Sequence, residues 1–411
     1  MTGGEKMTDI KMEMMCQRKY WEEAIEHGLN KHMDKSLLYA LTDPIGRATI
    51  IQAIEEGRYV VQPPVIQSIP KPAGGTREIF VNSQMDRVVL SIINQIYMEL
   101  YGYLIHPCCV SYQKGLGVPQ IIRSVTNKLK DGYHGYICDL SKYFDRVNKE
   151  TLFATLDTLS TDSPIDKVVR DYYADDRIIK DGEIVEHYKS LAQGCACSVI
   201  LANLVLRPID TELAKLDIIY YRYSDDLLLL GKDADKALEL LKTMLVPMGL
   251  ELNPKKIKYI DENSEFTFLG AKIQGTTVDI SDESVERFKK EIRSITKMRK
   301  GMKIKNRATQ RRAIKQINNY LYLSYMKNPK NFGWGFYFYS LCTTDKTIRE
   351  LDYFVKDHIK AMYTNKWNSV TNMNKTSNEE LEQMGYLSMV HMFKLFKMSK
   401  EVFKAEILRK G

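Results

Sequence analysis

A chain of 411 residues with 44% hydrophobic content is too long for one compact core, and roughly two to four lobes are expected. The net charge of +8 is uneven: residues 281–411 carry +14 and the preceding 280 residues carry −6, which suits a lobe that grips a polyanion beside one that keeps its carboxylates for metals. Seven cysteines, an odd number without a Cys-x-x-Cys pair, argue against a disulfide framework or a zinc site, so Cys195 and Cys197 are expected to pack. Apolar runs such as ILANLVL fall short of a bilayer span and MTGGEKMTDIKMEMM lacks a signal-peptide core, so a cytoplasmic protein with no membrane partner is expected.

Residues 1–55 carry apolar residues at helical spacing, as in WEEAIEHGLNKHMDKSLLYAL, and Gln62-Pro63-Pro64 ends that pattern. IPKPAGGTREIFV reads as two short strands around Ala73-Gly74-Gly75, followed by a long amphipathic helix, DRVVLSIINQIYMELYGYL. GYICDLSKYF (135–144) is a buried strand running into a loop, 146–175 is helical, and 176–190 is a polar hairpin around Asp181-Gly182. SVILANLVLRPIDTELAKL is expected to be one helix. It leads into the runs IIYYR and LLLLG, which flank Tyr223-Ser224-Asp225-Asp226 as a β-hairpin flanks its tip. KALELLKTMLVPMGL is a further helix broken at Gly249, and KKIKYI and FTFLGAKI are strands. From Ser281 the chain reads as basic helices with an aromatic-rich break at NFGWGFYFYSL.

Two adjacent carboxylates at a hairpin tip repel unless a cation relieves them, and hard divalent ions prefer carboxylate oxygen. The strand order around the hairpin suggests a β-α-β-β-α-β unit, which would set Asp139, at the end of GYIC, beside Asp225 although it lies 86 positions earlier. Three carboxylates can hold two Mg²⁺ ions about 3.5–4 Å apart, the arrangement for in-line phosphoryl displacement. One ion would activate a 3′-hydroxyl and the other would steady pyrophosphate.

With these motifs in order across residues 65–275, the chain resembles a reverse transcriptase. The resemblance implies an α+β right-hand polymerase with fingers, a ferredoxin-like palm and a helical basic thumb. Its expected segments are a helical extension (1–55), fingers (56–134), palm (135–280, with a finger-side insertion near 160–190) and a thumb or RNA-binding region (281–411). It casts Asp139, Asp225 and Asp226 as metal ligands, assisted by the Leu140 carbonyl, and Lys256 in MGLELNPKKIKY as the acid for pyrophosphate. Lys71 and Arg77 would neutralise the triphosphate. Phe144 stands at the gate that excludes a ribose 2′-hydroxyl. Gln193 and Gly194 would lie under the nucleotide, and Phe268-Leu269-Gly270 would form the primer grip.

Val199 stands where proline is usual and where group II intron enzymes generally keep it, which weighs against that subfamily. Without zinc-finger, nuclease, RNase H or retron signatures, the chain most resembles bacterial stand-alone reverse transcriptases of the unknown group, the defence-associated type 2 enzymes above all. That resemblance implies a structured noncoding RNA template, dNTPs as substrates, repeated copying into cDNA followed by second-strand synthesis, and an antiphage role. Alternatives are template-independent or protein-primed synthesis of the abortive-infection type, a retron-like enzyme, and an idle RNA-binding scaffold, which the retained carboxylates disfavour. Basic helices such as ERFKKEIRSITKMRKGMKIKNRATQRR would meet RNA phosphates. Trp334, Phe336 and Tyr337 would either stack bases or pack helix on helix, the latter being favoured.

Overall fold

Asp9, Asp34 and Asp43 each turn a carboxylate onto the free amides of a following helix, and among the described residues the first 55 positions form the helices Ile10–Cys16, Arg18–Gly28, Lys35–Thr42 and Pro44–Glu55. The computed structural model describes residues 9–28, 33–70, 75–111, 117–297, 307–323, 333–364 and 376–410. The chain divides into two units, residues 1–114 with 135–258, and residues 115–134 with 259–411.

The first unit is built around helix Gln84–Tyr101, whose residues Val88, Val89, Ile92, Ile93 and Ile96 are wholly buried. Strands β1 (Val65–Pro70) and β2 (Thr76–Val81) pair antiparallel, as expected for IPKPAGGTREIFV. The link between them, including Lys71, lies outside the described residues. After β3 (Gly135–Asp139), the hairpin β4 (Arg177–Lys180) and β5 (Glu183–Glu186) joins the edge of β1 through Val65 and Ile179, giving a sheet of order β2-β1-β4-β5.

A second sheet carries β6 (Ile218–Tyr223), β7 (Asp226–Gly231) and β3, with β7 in the middle and both pairings antiparallel. Leu227 to Leu230 of β7 are fully buried because both faces of this strand are covered. The expected single helix over 198–216 is instead two, Ser198–Val205 and Arg207–Leu213. Pro208 has no amide to continue the first helix, and it sits in the first turn of the second, where none is needed.

A buried ion pair fastens the first helix to this unit. Lys11, with no exposed surface, reaches the Asp166 carboxylate at 2.7 Å and the Leu159 carbonyl at 2.6 Å, and Tyr97 donates to the same carboxylate at 2.7 Å. A charged amine is buried only with such partners.

KKIKYI is a 3-10 turn (Pro254–Lys256) before β8 (Lys258–Ile260), since Asn253 caps the turn. The second unit then has a three-stranded meander, β9 (Glu265–Phe268), β10 (Ala271–Gln274) and β11 (Thr277–Ile280). Helices Asp282–Thr296, Arg307–Asn318, Trp334–Leu341, Lys346–Thr364 and Met389–Met398 follow it. The expected aromatic break is largely a helix, because tertiary packing outweighs its weak helix propensity. Trp334 lies 4.4 Å from the Phe288 ring and 4.6 Å from that of Phe338, and Phe336 meets Phe396 edge-on at 5.4 Å. These rings are committed to helix packing.

Candidate active site

The turn between β6 and β7 has only two residues, Ser224 and Asp225, because Tyr223 already pairs with Asp226. Ser224 takes the left-handed conformation (φ 57°) that so short a hairpin demands. On the other side of β7, Asp226 faces Asp139 directly in register, and Leu140 donates its amide to the Asp225 carbonyl at 3.1 Å. Asp139 and the adjacent pair Asp225 and Asp226, distant in sequence, thus share one sheet end. Burial, with the charge of Asp139, raises the Asp225 carboxyl above its ordinary value, while Lys256 and Arg77 pull the other way.

Lys256 arrives by backbone pairing. Leu252 bridges Leu140, Asn253 donates to the Asp139 carbonyl at 2.8 Å, and Ser141 donates to that of Glu251 at 2.9 Å. The following turn sets the Lys256 ammonium 2.6 Å from the Asp139 carboxylate. Burial alone would lower this lysine, but its bond to Asp139 and the charges of Asp139, Asp226 and Asp225 raise it.

The donor chemistry fits a hard divalent ion: carboxylates that repel one another, at a rim where Leu140 is held by its own amide. Among the described residues no three acidic, His or Cys side chains converge at ligating geometry, and Asp139 is engaged by Lys256.

The residues expected around a nucleotide fall in the same unit. Gln193 accepts the Phe80 amide at 2.8 Å through its carbonyl, which pins this turn to β2. Gly194 (φ 110°) lies so close to β2 that a Cβ would meet Ile79 and the Phe80 carbonyl at 2.7 Å, so only glycine fits. Arg77 lies exposed on β2. Phe144 packs edge-on against Tyr143 at 5.4 Å and lines a cavity of about 270 Å³ with Glu78, Phe80, Lys142, His187 and Tyr188. Under the gate role that the resemblance implies, cutting this ring back should admit a 2′-hydroxyl. Phe144→Ala is expected to lower the preference for dNTPs over NTPs at least about tenfold in kcat/KM, as removal of a steric contact does. Unchanged sugar selectivity would assign the ring to packing alone.

Phe268-Leu269-Gly270 lies in the second unit as the turn between β9 and β10. Leu269 (φ 49°) and Gly270 (φ 80°) are both left-handed, a strained setting for leucine. Tyr337 donates to the Leu269 carbonyl at 2.9 Å and the Ser281 amide to that of Gly270 at 3.0 Å, which holds the turn. Cys195 and Cys197 are buried, and the Cys197 thiol bonds the Leu90 carbonyl at 3.3 Å.

Sequence reasoning missed the support beneath the hairpin. Arg222, immediately before Tyr223, is fully buried and forks onto Asp210 at 2.9 and 2.6 Å, while also reaching the Asn203 carbonyl at 2.9 Å. Tyr220 donates to Asp210 at 2.9 Å, and Asn203 accepts from Ser111 at 2.8 Å. The signal was present: in IIYYRY, Tyr220 and Arg222 share a face, and a charge on a buried face requires a partner.

Residues 69–273 match the family described as "Reverse transcriptase (RNA-dependent DNA polymerase)". Two curated relatives are similar to part of the chain. One is the COX1/OXI3 intron 1 protein of Saccharomyces cerevisiae, 24% identical over 38% of this chain and 19% of its own length. The other is a 91 kDa protein in a cob intron of Schizosaccharomyces pombe, 24% identical over 39% and 20%. The chain therefore spans about a fifth of the length of these relatives. Among solved structures, apo telomerase from Candida tropicalis aligns with 15% identity and a TM-score of 0.45 over 84% of this chain and 64% of that one. Telomerase from Candida albicans, in complex with a fragment of telomeric RNA, aligns with 13% identity and a TM-score of 0.42 over 85% and 64%. Over residues 69–273, then, the chain carries a reverse transcriptase domain, the domain of RNA-directed DNA polymerases.

Proposed function

We propose that the chain copies an associated structured noncoding RNA into cDNA, using two Mg²⁺ ions, as a cytoplasmic antiphage defence enzyme of the stand-alone bacterial type. The observation that carries the polymerase reading is the register that sets Asp139 opposite Asp226, with Asp225 at the adjoining turn. When bound, the two ions supply Lewis acidity to the attacking 3′-hydroxyl and the leaving pyrophosphate. Asp139, Asp225 and Asp226 would hold them, with the Leu140 carbonyl. Lys71 and Arg77 neutralise the triphosphate, Gln193 and Gly194 offer backbone beneath the base, and Phe144 excludes a 2′-hydroxyl. Lys256, kept in its protonated form by the neighbouring carboxylates, gives its proton to the departing pyrophosphate. Phe268-Leu269-Gly270 grips the primer end. The basic helices after Ser281 contact RNA phosphates, so RNA affinity falls steeply with salt. Seven free cysteines suit a reducing compartment.

The similarity to two fungal intron proteins favours a second reading, an intron-type enzyme, against which Val199 stands. Sequencing the RNA and cDNA that co-purify with the chain decides between them. The defence reading expects one short RNA and tandem cDNA copies of it. An intron RNA would support the second reading, and homopolymer or random DNA would overturn the templated role in both.

A further inference from the structure

Resting on the metal assignment above, we propose that Lys256 is also a tethered counter-ion of the carboxylate cluster. Its ammonium holds Asp139 until a divalent cation displaces it, so that metal loading and release of the lysine toward the substrate are one event.

The geometry of the two partners is asymmetric. The Asp139 side chain is 12% exposed and fixed at the end of β3, whereas that of Lys256 is 58% exposed and reaches in from solvent. The lysine is thus the mobile member, a single charge on a flexible stem, and its contact at 2.6 Å takes an oxygen that the metal would need. Its charge also opposes the repulsion that Asp139 exerts on the buried Asp225. An ammonium can do this in part, but it offers one charge where a divalent ion offers two and can accept several carboxylate oxygens at once. The backbone ladder from Ser141–Glu251 to Asp139–Asn253 keeps the lysine close after displacement, so it stays within reach of the reaction. The neighbouring Lys255 does not share this position: it is exposed on the same turn, with its amide bound to the Asn253 cap.

Mn²⁺ binding to the purified chain of 411 residues, followed by electron paramagnetic resonance without nucleotide or nucleic acid, tests this directly. Lys256→Met should bind Mn²⁺ about 5-fold more tightly than wild type, the worth of one partly exposed ion pair. Lys255→Met should stay within about twofold, with circular dichroism confirming the fold of each. Equal affinity in Lys256→Met and wild type would overturn the proposal, and so would equal tightening in both lysine variants, which is the mark of general charge removal. Asp139→Asn and Asp226→Asn should abolish the tight Mn²⁺ signal. If they do not, the metal assignment fails and the proposal falls with it, a result distinct from failure of the lysine variant alone.

Discussion

Changing both Asp225 and Asp226 to alanine should reduce dNTP incorporation by at least about 10³-fold, while RNA continues to co-purify with the protein. The loss follows from position. Asp226 is the cross-strand partner of Asp139 and Asp225 caps the turn beside them, so removing two of three carboxylates leaves too few oxygens for two ions. RNA retention follows because the basic excess lies in residues 281–411, outside the sheet that carries the hairpin. The sign of the stability change separates loss of chemistry from loss of fold. Since burial and Asp139 raise the Asp225 carboxyl, the folded state binds its proton more readily than the unfolded chain does. Ionising Asp225 therefore costs stability as pH rises through that range. In chelator at neutral pH, Asp225→Asn should melt no lower than wild type, and its advantage should shrink as pH falls and the wild-type carboxyl takes up its proton. An inactive variant with a lowered melting temperature would mean that Asp225 is a structural residue.

The second large effect is expected beneath the hairpin. Arg222→Ala or Asp210→Ala should each cost about 3–5 kcal/mol, because either change strands a charge in a site with no exposed surface. For a unit of this size that is a fall of roughly 10 °C in melting temperature, measurable by calorimetry. Arg222→Met combined with Asp210→Leu removes both charges and should recover much of that loss, since two well-packed apolar side chains do not need each other as a fork and a carboxylate do. Polymerisation by the double variant should remain impaired. The Arg222 side chain ties β6, the strand that leads into the turn before Asp225 and Asp226, to the Asn203 carbonyl, on the helix that follows the Gln193 turn, so the pair sets where the carboxylates stand. Full activity in a stable double variant would assign the pair to stability alone.

These two sets of residues differ in how far the sequence discloses them. The carboxylates were legible because their context is local: apolar runs on either side of YSDD define the hairpin, and GYICD ends a strand in the same style. Their meeting in space followed from the strand order. Lys256 was legible as a motif residue, yet its bond to Asp139 depends on the ladder between residues 139–141 and 251–253, which no local pattern announces. The partners of Arg222 and Lys11 were not legible for the same reason. The partner of Lys11, Asp166, is 155 residues away, and that of Arg222 lies on a separate helix. That helix itself was hidden, since continuous apolar spacing across residues 198–216 outweighed Pro208 in the reading. At NFGWGFYFYSL the glycines and aromatic residues pointed to a break, and ring packing on Phe288 and Phe396 decided otherwise. Local patterns reveal elements and exposed chemistry; the supports that aim the chemistry are long-range pairings.

Extension of a DNA primer on an RNA template, with each dNTP offered singly, tests the polymerase reading most directly. The wild-type chain should add only the nucleotide complementary to the template base, should require Mg²⁺, and should lose this with Asp139→Asn. Addition of any nucleotide regardless of template, or templated addition that survives both chelation and Asp139→Asn, would contradict RNA-directed synthesis at the YSDD hairpin.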